Sequence, residues 1–116
     1  MDLTREEALK LHRQMWTDMQ NDLGNNPDGE DREAYKDDWC CKHGFGDTKN
    51  YCFLCEYSQG KSPWFSHRCY CCPVKWPTWG GVCFSEYLED GAGLKDCYYL
   101  AVPISEILAL PEREDV

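Results

Sequence analysis

The chain has 116 residues, 21 Asp and Glu against 12 Lys and Arg for a formal net charge of −9, and nine cysteines. A length of this order builds one modest domain and excludes a large buried core. The charge disfavours a general nucleic-acid-coating surface. No apolar run is long enough for a membrane span or a secretory leader, which places the expected location in a reducing cytoplasm.

In chain order, Thr4 and Glu7 form a Ser/Thr-x-x-Glu capping box. Ala8, Leu11, Met15, Trp16, Met19 and Leu23 then recur at three and four residues, so a first helix ending at Gly24 is predicted. After the turn Asn25–Gly29, Glu30 to Cys41 reads as a second helix with Ala34, Tyr35 and Trp39 inward and Gly44 as its stop. Residues 1–43 are thus expected to form a helical hairpin. Residues 44–82 are loop-rich, with short extended pieces around Tyr51–Leu54 and Arg68–Tyr70. Residues 83–110 are expected to be a C-terminal helical segment in which Pro103 starts or kinks a helix carrying Ile104, Ile107 and Leu108. Pro111 stops it, and 111–116 reads as a frayed acidic tail. The predicted fold class is α with a small irregular zinc module, in one domain.

The chemistry-bearing pattern lies in the middle. Cys52-x2-Cys55 and Cys69-x2-Cys72, thirteen residues apart, have the spacing at which two pairs of sulfurs converge on one tetrahedral zinc. The competing reading is a disulfide framework, which a reducing compartment and an odd cysteine count argue against. Cys40-x2-His43 also has knuckle spacing, and Cys83 or Cys71 from across the loop would complete a second site; buried thiols are the plainer alternative. Cys83 is also the substitute if one of the four named ligands is wrong. A structural zinc contributes on the order of 10–16 kcal/mol of apparent binding energy, comparable to a domain's whole stability. Four thiolates on Zn²⁺ would take the charge to about −11.

Charge is segregated. Residues 1–39 hold eleven acidic and five basic side chains, a net of −6, whereas 42–75 hold five basic and two acidic, a net of +3. Asp18, Asp22, Glu30, Asp31, Glu33, Asp37 and Asp38 are the candidate partner-binding face, against the plain reading of a solvated charge run. No catalytic constellation is present, and a site closed by four thiolates activates no water, so the chain is not expected to be an enzyme. The alternative class is a zinc-ribbon nucleic-acid-binding regulator. It would stack bases on Phe53, Tyr57, Trp64, Phe65, Trp76 and Trp79 beside Lys61, Arg68 and Lys75, unless those aromatics simply cover the zinc loops.

The string Cys52-Phe53-Leu54-Cys55-Glu56-Tyr57, followed by Cys69 and Cys72-Pro73-Val74 with Trp76, resembles a family of small phage and prophage proteins. The resemblance extends to Leu3–Ala8 at the start and to Ile107–Arg113 at the end. Cys40, Cys41, Cys71 and Cys97 fall outside it. What it implies is a phage-encoded accessory protein in the bacterial host cytoplasm. Acidic, metal-stabilised proteins of that kind include inhibitors of host defence, notably anti-CRISPR proteins acting on type II RNA-guided nucleases with their basic channels. The implied partner is a host protein rather than nucleic acid or membrane.

Overall fold

A computed structural model describes residues 3–45, 53–54, 57 and 72–114. Helix α1 spans Arg5–Leu23, α2 Gly29–Lys42, α3 Tyr98–Ala101 and α4 Ile104–Leu108, with a short 3₁₀ turn at Trp79–Gly81. Among the described residues there is no sheet, only isolated antiparallel bridges at Val74–Glu112, Thr78–Leu88 and Tyr87–Gly93. No helix among them is long and apolar enough to cross a membrane.

Helix α1 begins as its sequence dictates. The Thr4 hydroxyl accepts from the Glu7 N–H at 3.2 Å, and the Glu7 carboxylate accepts from the Thr4 N–H at 3.2 Å, so two of the helix's unpaired donors are satisfied reciprocally. Ala8, Leu9, His12, Met15, Trp16 and Met19 are buried along one stripe. The expected stripe is shifted at both margins: Leu11 is half-buried and Leu23, in the last turn, is exposed.

Helix α2 differs more. Its inward residues are Arg32, Lys36 and Trp39, while Ala34 is exposed and Tyr35 half-buried. The apolar residues were a poor guide here because the long side chains carry their own satisfaction. Arg32, 1% exposed, donates from Nε to the Pro27 carbonyl at 2.9 Å and from Nη1 to the Tyr99 carbonyl at 3.0 Å. Lys36, 5% exposed, sets Nζ over the rings of Tyr99 at 4.8 Å and Trp16 at 5.6 Å. Aliphatic stems bury apolar area, and the aromatic faces and carbonyls receive the charge. Burial lowers the Arg32 pKa from its ordinary value, the sense expected for a desolvated cation.

The hairpin is one part of a larger packing, since α1 packs more extensively on α4 than on α2 while α2 meets α3. The expected C-terminal helix is instead two short ones, with Pro103 as N-cap of α4 and residues 83–97 forming a non-helical lobe before α3. Proline offers no capping side chain, and the interhelix turn supplies what is missing. The Asn25 carbonyl accepts from Ile104 N–H at 2.8 Å, its Oδ1 accepts from Ser105 N–H at 2.8 Å and from Gln20 Nε2 at 3.0 Å, and its Nδ2 donates to Ser105 Oγ at 3.2 Å. One turn residue thereby joins α1 to α4.

The stretch after α4 is not frayed at its start. Glu112 bridges Val74, Arg113 N–H donates to Pro73 O at 2.7 Å, Lys75 N–H donates to Pro111 O at 2.9 Å, and Arg5 Nη2 donates to Arg113 O at 2.7 Å. Backbone pairing overrides the composition, which had suggested a solvated tail. Asn25→Ala should lower stability by about 1–2 kcal/mol, because it strips α4 of its borrowed cap, whereas Asn25→Asp should retain much of it. Thermal or denaturant unfolding measures both, and equal stability of Asn25→Ala and the parent chain would refute the bridging role.

Candidate functional site

Of the four predicted zinc ligands, Cys52, Cys55 and Cys69 lie outside the described residues, as do Cys71 and His67. Cys72 is buried, and its Sγ accepts a hydrogen bond from Trp76 Nε1 at 3.3 Å. An indole N–H aimed at a sulfur suits a thiolate, since it stabilises negative charge there and orients the lone pairs, as outer-shell donors do around metal-bound cysteines. Of the four cysteines the spacing names, Cys72 is the one that lies among the described residues. Cys40 and Cys83 are half-buried thiols. His43 is stacked on Trp39 at 3.8 Å between ring centroids, with Nδ1 2.9 Å from the Trp39 carbonyl. Among the described residues no three His, Cys, Asp or Glu side chains converge in a metal-holding group, so Cys40, His43 and Cys83 do not make one by themselves.

The region joining the hooks to the helices is aromatic. Phe53 meets Trp39 edge to face at 5.6 Å and Phe45 at 5.3 Å, and Phe53, Leu54 and Tyr57 are all buried. Phe53, Leu54 and Tyr57 are helical, not extended. An alternating strand would have buried only one of two consecutive residues, whereas neighbours at i, i+1 and i+4 share a helix face. Trp76 is buried too, in edge-to-face contact with Tyr98 at 6.0 Å, so Phe53, Tyr57 and Trp76 are core rather than a base-stacking platform. Trp64 and Phe65 lie outside the described residues, as do Lys61 and Arg68; Lys75 is exposed.

A buried group that sequence reasoning missed is His12. It lies between Trp16 and Trp76, with centroids 6.5 and 6.3 Å away, and its Nδ1 has no hydrogen-bond partner among the described residues. Its position four residues before Trp16 on the inward stripe was the available signal.

The acidic residues divide into two sets. Asp18 and Asp22 are engaged across the hairpin: Trp39 Nε1 donates to Asp18 Oδ2 at 2.8 Å, and the Tyr35 hydroxyl donates to Asp22 Oδ2 at 2.5 Å. Their work is to join α1 to α2. Glu30, Asp31, Glu33, Asp37 and Asp38 are all exposed, and helical spacing sets them on the side of α2 opposite Arg32, Lys36 and Trp39. The Asp38–Lys42 pair at 2.9 Å is the one ion pair on this face among the described residues, and it is too exposed to contribute much.

Burial, then the hydrogen bond to Asp22, then the charges of Asp22, Asp18 and Asp38 raise the Tyr35 pKa well above the usual phenol value. Burial, followed by the nearby Glu86, also pushes the Cys97 thiol up, away from the thiolate a reactive cysteine needs. Comparisons with family models, with curated proteins and with solved structures find no match to this chain.

Two outcomes are expected here. Native mass spectrometry should find at least one zinc per chain, and Cys72→Ser should lose it together with soluble yield; a metal-free chain with intact disulfides would overturn the zinc assignment. Because the folded Tyr35 pKa is raised, its contribution is fully present below the unfolded phenol value of about 10 and is lost as pH rises beyond it. The stability difference between the parent chain and Tyr35→Phe should therefore be constant below about pH 10 and shrink progressively as pH rises above it, and a difference that stays constant there would contradict the Tyr35–Asp22 link.

Proposed function

We propose that this protein is a non-enzymatic, zinc-stabilised interaction protein whose α2 carboxylate face engages a basic surface on a host protein. The observation that carries the reading is the inversion of α2. Its two central cations, Arg32 and Lys36, are buried, while Glu30, Asp31, Glu33, Asp37 and Asp38 face outward. The surface is therefore more one-signed than the sequence of the helix suggests. Such a patch steers a positively charged partner and discriminates against phosphate backbones.

The most specific form of this reading comes from the family resemblance: a phage-encoded inhibitor of a type II RNA-guided nuclease, occupying part of its basic channel before nucleic acid does. The feature of the chain that supports that form is the acidic face of α2. The zinc-ribbon regulator reading has less support, since Phe53, Tyr57 and Trp76 are buried.

Purified holo-protein added to such a nuclease before its target DNA should reduce cleavage, and added afterwards should reduce it less. Asp31→Lys with Asp37→Lys should weaken inhibition about tenfold while leaving zinc content unchanged, because both positions are exposed. Full-rate cleavage by a panel of type II nucleases with the protein in large excess would remove the nuclease-inhibitor form. Tight binding to oligonucleotides at about 150 mM salt would replace the whole reading with the regulator.

A further inference from the structure

The lobe between the 3₁₀ turn and α3 exposes three aromatic side chains, Trp79 at 74%, Phe84 at 56% and Tyr87 at 52%. This is costly surface to leave wet, and its placement is fixed by the backbone. Trp79 N–H donates to the Tyr87 carbonyl at 3.0 Å, the Thr78–Leu88 bridge flanks that bond, and the two rings meet edge to face at 6.5 Å. Thr78 is buried, and its hydroxyl donates to the Val82 carbonyl across the turn. Gly80 and Gly81, at φ 80° and 69°, supply two successive left-handed residues that only glycine adopts without strain. The turn thus holds Trp79 outward in a defined place.

The same lobe is acidic. Glu86, Glu89, Asp90 and Asp96 are exposed between Trp79 and Tyr98, with Lys95 the one basic residue in that stretch. Glu86 directly precedes Tyr87, and the Glu89 N–H donates to the Pro77 carbonyl at 3.3 Å, which keeps it beside the base of the Trp79 turn. Carboxylates beside bases would repel the phosphates of nucleic acid. Aromatic faces next to carboxylates instead suit guanidinium, which is planar, weakly hydrated, stacks on indole and pairs with carboxylate; ammonium is more strongly hydrated and stacks less well.

We propose that Trp79 and Tyr87, with Glu86 and Glu89, form a docking surface for an arginine-bearing segment of a protein partner. It is a second contact surface, and it does not rest on the α2 face.

The test follows the indole N–H resonances of the full-length zinc-loaded chain by NMR at about 150 mM salt, with Trp79 assigned by its loss in Trp79→Ala. The probes are a short oligo-arginine peptide, an oligo-lysine peptide of equal length and a single-stranded oligonucleotide. The arginine peptide should shift the Trp79 resonance and bind more tightly than the lysine peptide. Its affinity should fall about fivefold in Trp79→Ala and comparably in Glu86→Gln with Glu89→Gln. These positions are exposed, so circular dichroism of the variants should match the parent. Asp31→Lys with Asp37→Lys should leave the Trp79 shift in place, which separates failure here from failure of the α2 reading. A Trp79 resonance that stays still while the peptide binds would overturn the proposal, as would equal affinity for the lysine peptide or a response to the oligonucleotide instead.

Discussion

The burial of two cations from one face of α2 is the constraint around which the other elements are arranged. A desolvated guanidinium costs several kcal/mol unless its donors are met, and Arg32 meets them with carbonyls from two separate places, Pro27 before the helix and Tyr99 in α3. Lys36 requires aromatic faces, and these come from Trp16 in α1 and Tyr99 again. Neither cation is satisfied by α2 alone. The charge pattern of one helix therefore depends on the docking of α1 and α3, and a chain that failed to bring α3 back would leave Arg32 without one of its carbonyl acceptors.

The return of the C-terminal half follows the same logic of borrowed partners. Pro103 gives α4 its start and no cap, so Asn25 in the interhelix turn provides it. Pro111, Glu112 and Arg113 reach residues 73 to 75 beside Cys72, which ties the end of the described chain to the second Cys-x2-Cys pair of the sequence. Each connection uses polar groups to fix where apolar surfaces meet, with Ile104 and Ile107 then buried in the common core.

This explains what the sequence could and could not disclose. The capping box and the stripe from Ala8 to Met19 are local periodicities, and they were legible. The inward face of α2 was not, because apolar periodicity marks Ala34 and Tyr35 and says nothing of long cations whose partners lie 67 residues away, as Tyr99 does from Arg32. Asn25 reads as turn composition and the 112–113 stretch as a tail for the same reason: their roles are set by distant backbone groups. Of the candidate site, Cys72 could be placed, and the acidic set was recognised as a group. That Asp18 and Asp22 serve the hairpin seam while five carboxylates of α2 face outward required three dimensions.

The functional account rests on that outward face, so the decisive observation concerns which side of α2 meets solvent. Amine-reactive labelling of the native chain, read out by mass spectrometry, reports this directly. Lys10, Lys42, Lys75 and Lys95 are exposed and should be modified rapidly, while Lys36, enclosed by Trp16 and Tyr99, should stay protected until the chain is unfolded. Modification of Lys36 as fast as Lys42 in the native state would contradict the inverted helix and, with it, the one-signed surface proposed to meet the partner.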